Sequence, residues 1–365
     1  MSRPAQTLRE LARVRAENPD VLARFPRTAL GRKNFTAQGV PDGKPCIIVY
    51  VAEKEPEARL SAEQRVPRVL STRDEALYAH TDVVEFDPAA TAAPFSPDVL
   101  DPGNAALCAR LRWSGEPEPV KPGFRIGYGR RVAGRLGNYS GTVACVAVDA
   151  RGRRGLLTNQ HVGDMPGMSL YRPYFRRGAG RVAMVRDLLL AVADERWIEG
   201  VDEPDAFGIV DASCAPLRRG VAAENRLPDG RALGPVVPLS LDSMAPIGQP
   251  VHKVGYRTGH QLGTILAVGA TRPDYAGAVD EEIGHSAARF YADLVIGPRA
   301  PSTFLSAPGD SGSLIYVEDG GVPRPIGMLW GGSAGDVGRE AGVEQLSFAT
   351  HLDGLLRVMG LTLPR

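Results

Sequence analysis

Short apolar runs separated by glycine and proline turns fill residues 123–360, and this pattern limits the fold more than any other feature of the chain. Runs such as DAFGIVDASC, RFYADLVIG and EQLSFATHL are short and rich in strand-forming residues. The 365 residues include 42 Gly and 30 Pro, which favour frequent turns over long helices. The sequence therefore predicts a mainly β region that closes into a barrel or a sandwich.

The first hundred residues have a different pattern. TLRELARVRAE, residues 7–17, has the apolar spacing of a helix, whereas PCIIVYVAEK and TDVVEF have the composition of strands. Ser61 and Gln64 have the spacing of a capping box, which predicts the start of another helix. The proline-rich segment 113–123 is typical of a linker. We expect an N-terminal α/β domain over residues 1–117 and a β domain over residues 118–365.

Composition excludes several function classes. The net charge of +1 gives no general attraction to nucleic acid or membrane, and no apolar run of 18 residues is present. Residues 121–186 hold 13 Lys and Arg against two Asp, and we expect these basic groups to pair with the acidic segment 187–205 rather than with nucleic acid. The four cysteines lack the spacing of a zinc site, and the N-terminus lacks a secretory signal. These features predict a cytoplasmic protein without metal or cofactor.

The segment APGDSGSLIY, residues 307–316, places Ser311 in a glycine-rich turn before an apolar strand. Turn composition alone does not separate a nucleophile from a small turn residue. A serine nucleophile needs a base, and imidazole has a suitable pKa. His161 in RGLLTNQHVG follows directly on an apolar strand, where a barrel can present its ring to solvent. The other five histidines have no comparable setting.

The imidazole in turn needs a carboxylate on its second nitrogen. Asp205 in VDEPDAFGIV stands at the start of a strand between the histidine and the serine, and we favour it for this role. Asp202 and Asp211 are nearby alternatives, and Asp187 and Asp194 are weaker ones.

The order His161, Asp205, Ser311, with LTNQHV around the histidine and GDSGS around the serine, resembles that of trypsin-like serine peptidases of the chymotrypsin-fold superfamily. The resemblance covers residues 123–360. It implies a mainly β, chymotrypsin-like double β-barrel behind a small N-terminal α/β domain. It also implies that Ser311 is the nucleophile, His161 the general base and acid, and the aspartate the group that orients His161.

The same resemblance implies the groups around the nucleophile. The backbone N–H groups of Gly309 and Ser311 would form the oxyanion hole. The segment LWGG, residues 329–332, would pair with the substrate backbone through Trp330 and Gly331. Leu305 matches the base of the primary specificity pocket, and its apolar side chain argues against cleavage after Lys or Arg.

The implied function is a serine endopeptidase that acts on protein or peptide substrates. No IVGG-type segment is present, which argues against activation by a freed N-terminal amine. The N-terminal region resembles that of bacterial trypsin-like proteins related to the plant narrow-leaf protease, which implies a regulatory or assembly domain. A catalytically silent protein that binds peptides or acts as a scaffold is the alternative. The sequence leaves both a monomer and a homo-oligomer open.

Overall fold

The computed structural model describes residues 2–25, 27–34, 41–51, 53–85, 94–112, 118–132, 135–163, 166–173, 180–184, 187–193, 207–271, 288–290, 292–333 and 343–364. Most of the elements in these ranges are β-strands, and the helices are short. None of the described helices combines the length and the apolar character needed to cross a membrane.

The N-terminal unit is a mixed sheet with two helices. Its elements are β1 Arg3–Pro4, α1 Leu8–Ala16, α2 Pro19–Arg24, β2 Thr28–Arg32, β3 Pro45–Val51, β4 Val69–Ser71 and β5 Leu77–Glu85. Helix α1 begins where the sequence predicts it, because Thr7 and Glu10 form a capping box. The expected strands are also confirmed as β3 and β5.

The helix predicted from Ser61 is absent. The Ser61 N–H does donate to the Gln64 side chain, at 2.9 Å, but the segment forms only a turn. Pro67 follows three residues later, and a proline there removes a helical hydrogen bond. Two short 3₁₀ turns, Glu57–Arg59 and Pro97–Val99, and helix α3, Pro102–Arg112, complete the first part of the chain.

The second half of the β region is a closed barrel. Its strands are β14 Pro250–Gly255, β15 Gly259–Ala270, β17 Ala292–Pro298, β18 Leu314–Asp319, β19 Val322–Ser333 and β20 Leu346–His351, followed by helix α5 Leu352–Val358. They pair in the order β15-β14-β18-β19-β20-β17, and β17 pairs back to β15. Strand β14 pairs with β15 only over Gly259–Thr264, so closure leaves the Ala267–Val268 part of β15 with an edge that another strand can pair with.

The first half of the β region consists of two sheets around one apolar core. The elements are β6 Arg125–Val132, β7 Arg135–Thr142, β8 Cys145–Asp149, β9 Arg154–Thr158, α4 Gln160–Gly163, β10 Ser169–Arg172, β11 Gly180–Met184, β12 Asp187–Ala193, β13 Phe207–Pro216, β16 Ala288–Phe290 and β21 Leu361–Thr362. One sheet has the order β11-β10-β6-β7 and the other β12-β13-β9-β8-β21, with β16 beside β13. The expected fold class, mainly β with barrel-like sheets and a small N-terminal α/β unit, is confirmed.

The N-terminal unit extends the sheet of the second barrel. Strand β2 pairs antiparallel with β15, with Leu30 opposite Val268, and β3 and β5 continue the sheet outward. Side chains of β2 and β3 pack with those of β15, β17, β19 and β20 in a shared apolar cluster. The expected boundary at residue 117 falls in 113–117, outside the described residues, and the division there stays a prediction.

A buried arginine also ties the N-terminal unit to the barrel. The Arg15 guanidinium on α1 donates to the carbonyl oxygen of Gly269 on β15 at 2.6 Å. The residue is only 4% exposed, whereas Arg13 on the same helix has a side chain that is 45% exposed. A hydrogen bond from a buried charged donor contributes more to stability than an exposed ion pair does.

We predict that Arg15→Met lowers the free energy of unfolding by about 1.5–3 kcal/mol, because it removes this hydrogen bond. The matched variant Arg13→Met, which loses exposed pairs with Glu17 and Asp74, should lower the free energy of unfolding much less, because solvent screens these pairs. Urea unfolding measures both values. Equal effects of the two substitutions would contradict the role given to Arg15.

Candidate active site

His161 and Asp211 form a hydrogen-bonded pair in the first half of the β region. His161 lies in the short helix α4, directly after strand β9, and Asp211 lies within β13. The ring Nδ1 is hydrogen-bonded to Asp211 Oδ2, and the backbone N–H of His161 donates to Asp211 Oδ1 at 3.1 Å. The imidazole side chain is 47% exposed, whereas that of Asp211 is 10% exposed. The ring is thus fixed from behind and accessible from the front.

The neighbours of the pair hold it in place. The Asn159 side-chain amide donates to the backbone oxygen of Asp211 at 2.7 Å. The Ser213 hydroxyl donates to the backbone oxygen of Asn159 at 3.1 Å. Withdrawal from water lowers the pKa of His161, but the charge and the hydrogen bond of Asp211 outweigh this effect and leave the pKa above its ordinary value.

Among the described residues, the acid beside the histidine is Asp211. The strand-start argument favours Asp205, but Nδ1 is already occupied by Asp211, which the sequence gives as a nearby alternative. Asp205 itself lies outside the described residues, as do Asp202 and Asp194. The sequence did contain a signal for Asp211: its carboxylate lies inside the apolar run GIVDAS, and a buried charge requires a partner.

The Ser311 turn packs against the strands that lead to His161, and Thr142 at the end of β7 makes the connection. The Thr142 N–H donates to the Ser311 carbonyl oxygen at 2.7 Å, and the Thr142 hydroxyl donates to the Gly309 carbonyl oxygen at 3.2 Å. The Thr158 hydroxyl, three residues before His161, donates to the Thr142 carbonyl oxygen at 2.8 Å. The structure therefore brings the serine turn and the histidine loop to one place.

Both hydrogen bonds that His161 makes within the described residues go to Asp211, so its Nε2 is left for another partner. In this structure Nε2 and Ser311 Oγ do not form a hydrogen bond with each other. Such bonds are often long in enzymes without substrate and shorten in the substrate complex.

Two backbone N–H groups of the serine turn are unused. The N–H groups of Asp310, Gly312 and Ser313 donate to backbone oxygens, at 3.0, 2.8 and 2.8 Å. Within the described part of the chain, those of Gly309 and Ser311 donate to none. Gly309 has a φ of +108°, a conformation that favours glycine. The turn can therefore direct two amides toward a developing negative charge.

A buried ion pair holds the turn from inside. Asp310 and Lys253 both have fully buried side chains, and Lys253 Nζ donates to Asp310 Oδ2 at 2.9 Å. The Thr258 hydroxyl donates to the same oxygen at 2.6 Å, and the Arg257 N–H donates to Oδ1 at 3.1 Å. Lys253 is also hydrogen-bonded to Thr258. The charge of Asp310 is thus balanced by Lys253 of β14. This pair was not predicted from the sequence, although a lysine inside the apolar run PVHKVGY indicates a buried charge that needs a partner.

The three expected substrate-binding residues have different positions. Leu305 is fully buried in the core of the second barrel, so it does not line an open pocket, and this expectation is corrected. Trp330 is also buried, because strands of the N-terminal unit cover it and Phe348 packs against it with ring centroids 5.7 Å apart. Gly331 faces open space.

Two known family profiles match the chain, one in each part of the fold. The profile of the NARROW LEAF 1 N-terminal domain matches residues 3–84, and that of the Nal1 C-terminal domain matches residues 121–363. The chain belongs to the Nal1 family. It is 29% identical over 347 residues to Protein NARROW LEAF 1 of Oryza sativa subsp. japonica. The match covers 90% of this chain and 55% of the rice protein, so the chain spans about half the length of that relative.

Several solved structures are similar to the chain at low identity. Nocardiopsis protease (NAPase) is 18% identical with a TM-score of 0.43, over 68% of this chain and 100% of that one. A glutamic acid-specific serine protease is 17% identical with a TM-score of 0.41, over 67% and 100%. Thermobifida fusca protease A is 15% identical with a TM-score of 0.41, over 67% and 98%. At these identities we transfer no residue roles from the three proteases.

We predict that Asp211→Asn lowers the pKa of His161, because the neutral amide no longer stabilises the imidazolium. The matched variant Asp205→Asn should leave this pKa unchanged. NMR titration of histidine-labelled protein measures both, with His161→Gln used to assign the signal. A drop in the Asp205 variant and none in the Asp211 variant would return the role to Asp205.

We also predict that Lys253→Met lowers the free energy of unfolding by about 3–5 kcal/mol, because it leaves the Asp310 charge buried without a partner. Lys121→Met, which removes a partly exposed pair with Glu224, should cost at most about 1 kcal/mol. In urea unfolding, the double variant Lys253→Met/Asp310→Asn should recover part of the loss. Additive losses in the double variant would show that the two charges are not coupled.

Proposed function

We propose that this protein is a serine endopeptidase that hydrolyses peptide bonds through an acyl-enzyme, with His161, Asp211 and Ser311 as its triad. The observation that carries this proposal is the common location of three features. These are an imidazole bound to a buried carboxylate, a serine turn fixed to the same strands, and two unused backbone amides beside the serine. Each feature alone has a structural explanation, but their combination has the composition of an acyl-transfer site.

The chemistry follows from these positions. Ser311 Oγ attacks the carbonyl carbon of the scissile bond while its proton passes to His161 Nε2. The negative charge on the carbonyl oxygen is stabilised by the N–H groups of Gly309 and Ser311. The C–N bond then breaks, and the proton on Nε2 moves to the leaving amine.

Water resolves the acyl-enzyme by the same route. His161 takes a proton from water as the water oxygen attacks the ester carbon, and it returns this proton to Ser311 Oγ when the acid product leaves. Asp211 remains ionised throughout. It fixes the ring tautomer and stabilises the imidazolium.

The buried pair of Lys253 and Asp310 supports an enzyme whose site needs no proteolytic activation. A freed N-terminal amine would have to reach a carboxylate that an internal ammonium already neutralises. We therefore propose that the Ser311 turn is organised in the intact chain. We further propose protein or peptide substrates and a cytoplasmic location. No disulfide joins the four buried cysteines, which supports the proposed location.

The alternative function is a catalytically silent protein of the protease fold that binds peptides or acts as a scaffold. The observation that favours it is the unformed hydrogen bond between His161 Nε2 and Ser311 Oγ. The two functions differ in whether Ser311 becomes covalently modified, and this can be measured directly.

We predict that an alkyl fluorophosphonate labels the wild-type protein at Ser311 and that Ser311→Ala abolishes the labelling while the thermal unfolding midpoint stays unchanged. Mass spectrometry of the intact protein and its peptides locates the adduct. Ser313→Ala, two residues away, is the matched control and should still be labelled. Folded wild-type protein that binds peptides, is not labelled and cleaves no casein would favour the scaffold.

A further inference from the structure

A buried glutamate lies where three chain segments meet beside the Ser311 turn. The Glu344 N–H donates to the Ser306 carbonyl oxygen at 2.9 Å, and the next N–H, of Gln345, donates to the Ser333 carbonyl oxygen at 2.8 Å. These bonds join the segment 343–347 to the segment 304–307 and to the end of strand β19. The Glu344 carboxyl group also lies so close to Gly332 that a Cβ there would come within 2.6 Å of it.

The hydroxyl groups around Glu344 are arranged to face its carboxylate. The Ser306 hydroxyl donates to Glu344 Oε2, and the Ser347 hydroxyl lies 2.6 Å from that of Ser306. The second oxygen, Oε1, accepts no hydrogen bond within the described residues. No Lys, Arg or His of the described chain forms an ion pair with Glu344.

The charges that act on this carboxylate are those of Asp310 and Lys253. The pKa of Glu344 is raised to about 7, mainly by burial; the Ser306 hydrogen bond and Lys253 lower it, whereas Asp310 raises it. A carboxyl group in this position can bind a cation from outside the protein, since a cation beside it favours the ionised form.

The position of Glu344 relative to the proposed nucleophile indicates that this cation is a side chain of the substrate. Ser306 lies five residues before Ser311, and Gly332 follows the open position at Gly331. A substrate carbonyl at Ser311, with its backbone along residues 329–332, would direct the preceding side chain into the space between these segments. Glu344 would lie at the inner end of that space, because its carboxyl group lies against both Ser306 and Gly332.

We infer that Glu344 is the anionic group of the primary specificity pocket and that the protein cleaves after Lys or Arg. This inference rests on the proposed peptidase function. It replaces the expectation, drawn from Leu305, that cleavage after Lys or Arg is disfavoured, because Leu305 is in the barrel core while the next residue, Ser306, faces Glu344.

The test compares peptides that differ only in the residue before the scissile bond: Arg, Lys, Leu, Phe or Glu. For the wild-type protein we expect kcat/KM after Arg or Lys to exceed that after Leu by at least about tenfold. Glu344→Gln keeps the shape and removes the charge, and it should abolish this preference. The control Glu318→Gln removes a carboxylate near the end of β18 that is remote from Ser311, and it should retain the preference for Arg and Lys. A wild-type preference for Leu, Phe or Glu, or an unchanged preference in Glu344→Gln, overturns the inference.

Binding separates this inference from the proposed function. Benzamidine, a small aryl cation, should raise the thermal unfolding midpoint of Ser311→Ala but not that of Ser311→Ala/Glu344→Gln. This result requires no catalysis, and it would stand even if wild-type protein were not labelled by the fluorophosphonate. Labelling of the wild type at Ser311 without any benzamidine shift would leave the peptidase and remove the cation pocket.

A pH measurement keeps the test valid if Glu344→Gln does not fold. In the wild-type protein, the ratio of kcat/KM after Arg to that after Leu should fall as the pH drops below about 7, because protonated Glu344 loses its charge. The titration of His161 affects both substrates equally and cancels in the ratio. A ratio that does not change between pH 5 and pH 9 overturns the inference.

Discussion

The buried ion pair between Lys253 and Asp310 is the interaction on which the candidate active site depends. An isolated carboxylate in a protein interior is very unfavourable, and it is tolerated here because an ammonium group, a hydroxyl group and backbone N–H groups all point at it. These donors come from β14 and the turn that follows it, whereas the carboxylate belongs to the Ser311 turn. The charge pair thus fixes the turn to the second barrel. Thr142 fixes the same turn to the first half of the β region, so Ser311 is held from both sides.

The sequence predicts the parts of this arrangement that depend on local pattern. The strand before His161, the glycine-rich turn at Ser311 and the β14–β15 hairpin each show the expected composition over a few residues. The pairing of distant residues was harder to predict. Asp211 reaches His161 because β13 pairs with β9 so that Ser213 lies opposite Thr158, and this register places Asp211 beyond the end of β9. The local rule that favours a strand start selects Asp205 and contains no information about the register.

The residues of the proposed specificity pocket were also difficult to predict from local sequence. Counting six residues back from Ser311 leads to Leu305, but neighbouring residues of an extended segment face opposite sides. Ser306 pairs with Glu344 as an isolated bridge, so the polar residue faces the proposed pocket and the leucine faces the core. Trp330 was misjudged for a different reason. Its neighbours Ile48 and Tyr50 come from the N-terminal unit, nearly three hundred residues away in sequence, and the motif LWGG says nothing about them.

The covering of Trp330 bears on why the two parts of the chain occur together. Strands β2 and β3 bury an apolar face of the second barrel that includes Trp330 and Phe348, and β2 also satisfies backbone groups of β15. Without the N-terminal unit this face would be an exposed apolar patch beside an open strand edge, which favours aggregation. Because Trp330 directly precedes Gly331, a displacement of β2 and β3 would also alter the strand that borders the proposed pocket. The N-terminal unit therefore buries an apolar face of the barrel and supports the strand that borders the proposed pocket.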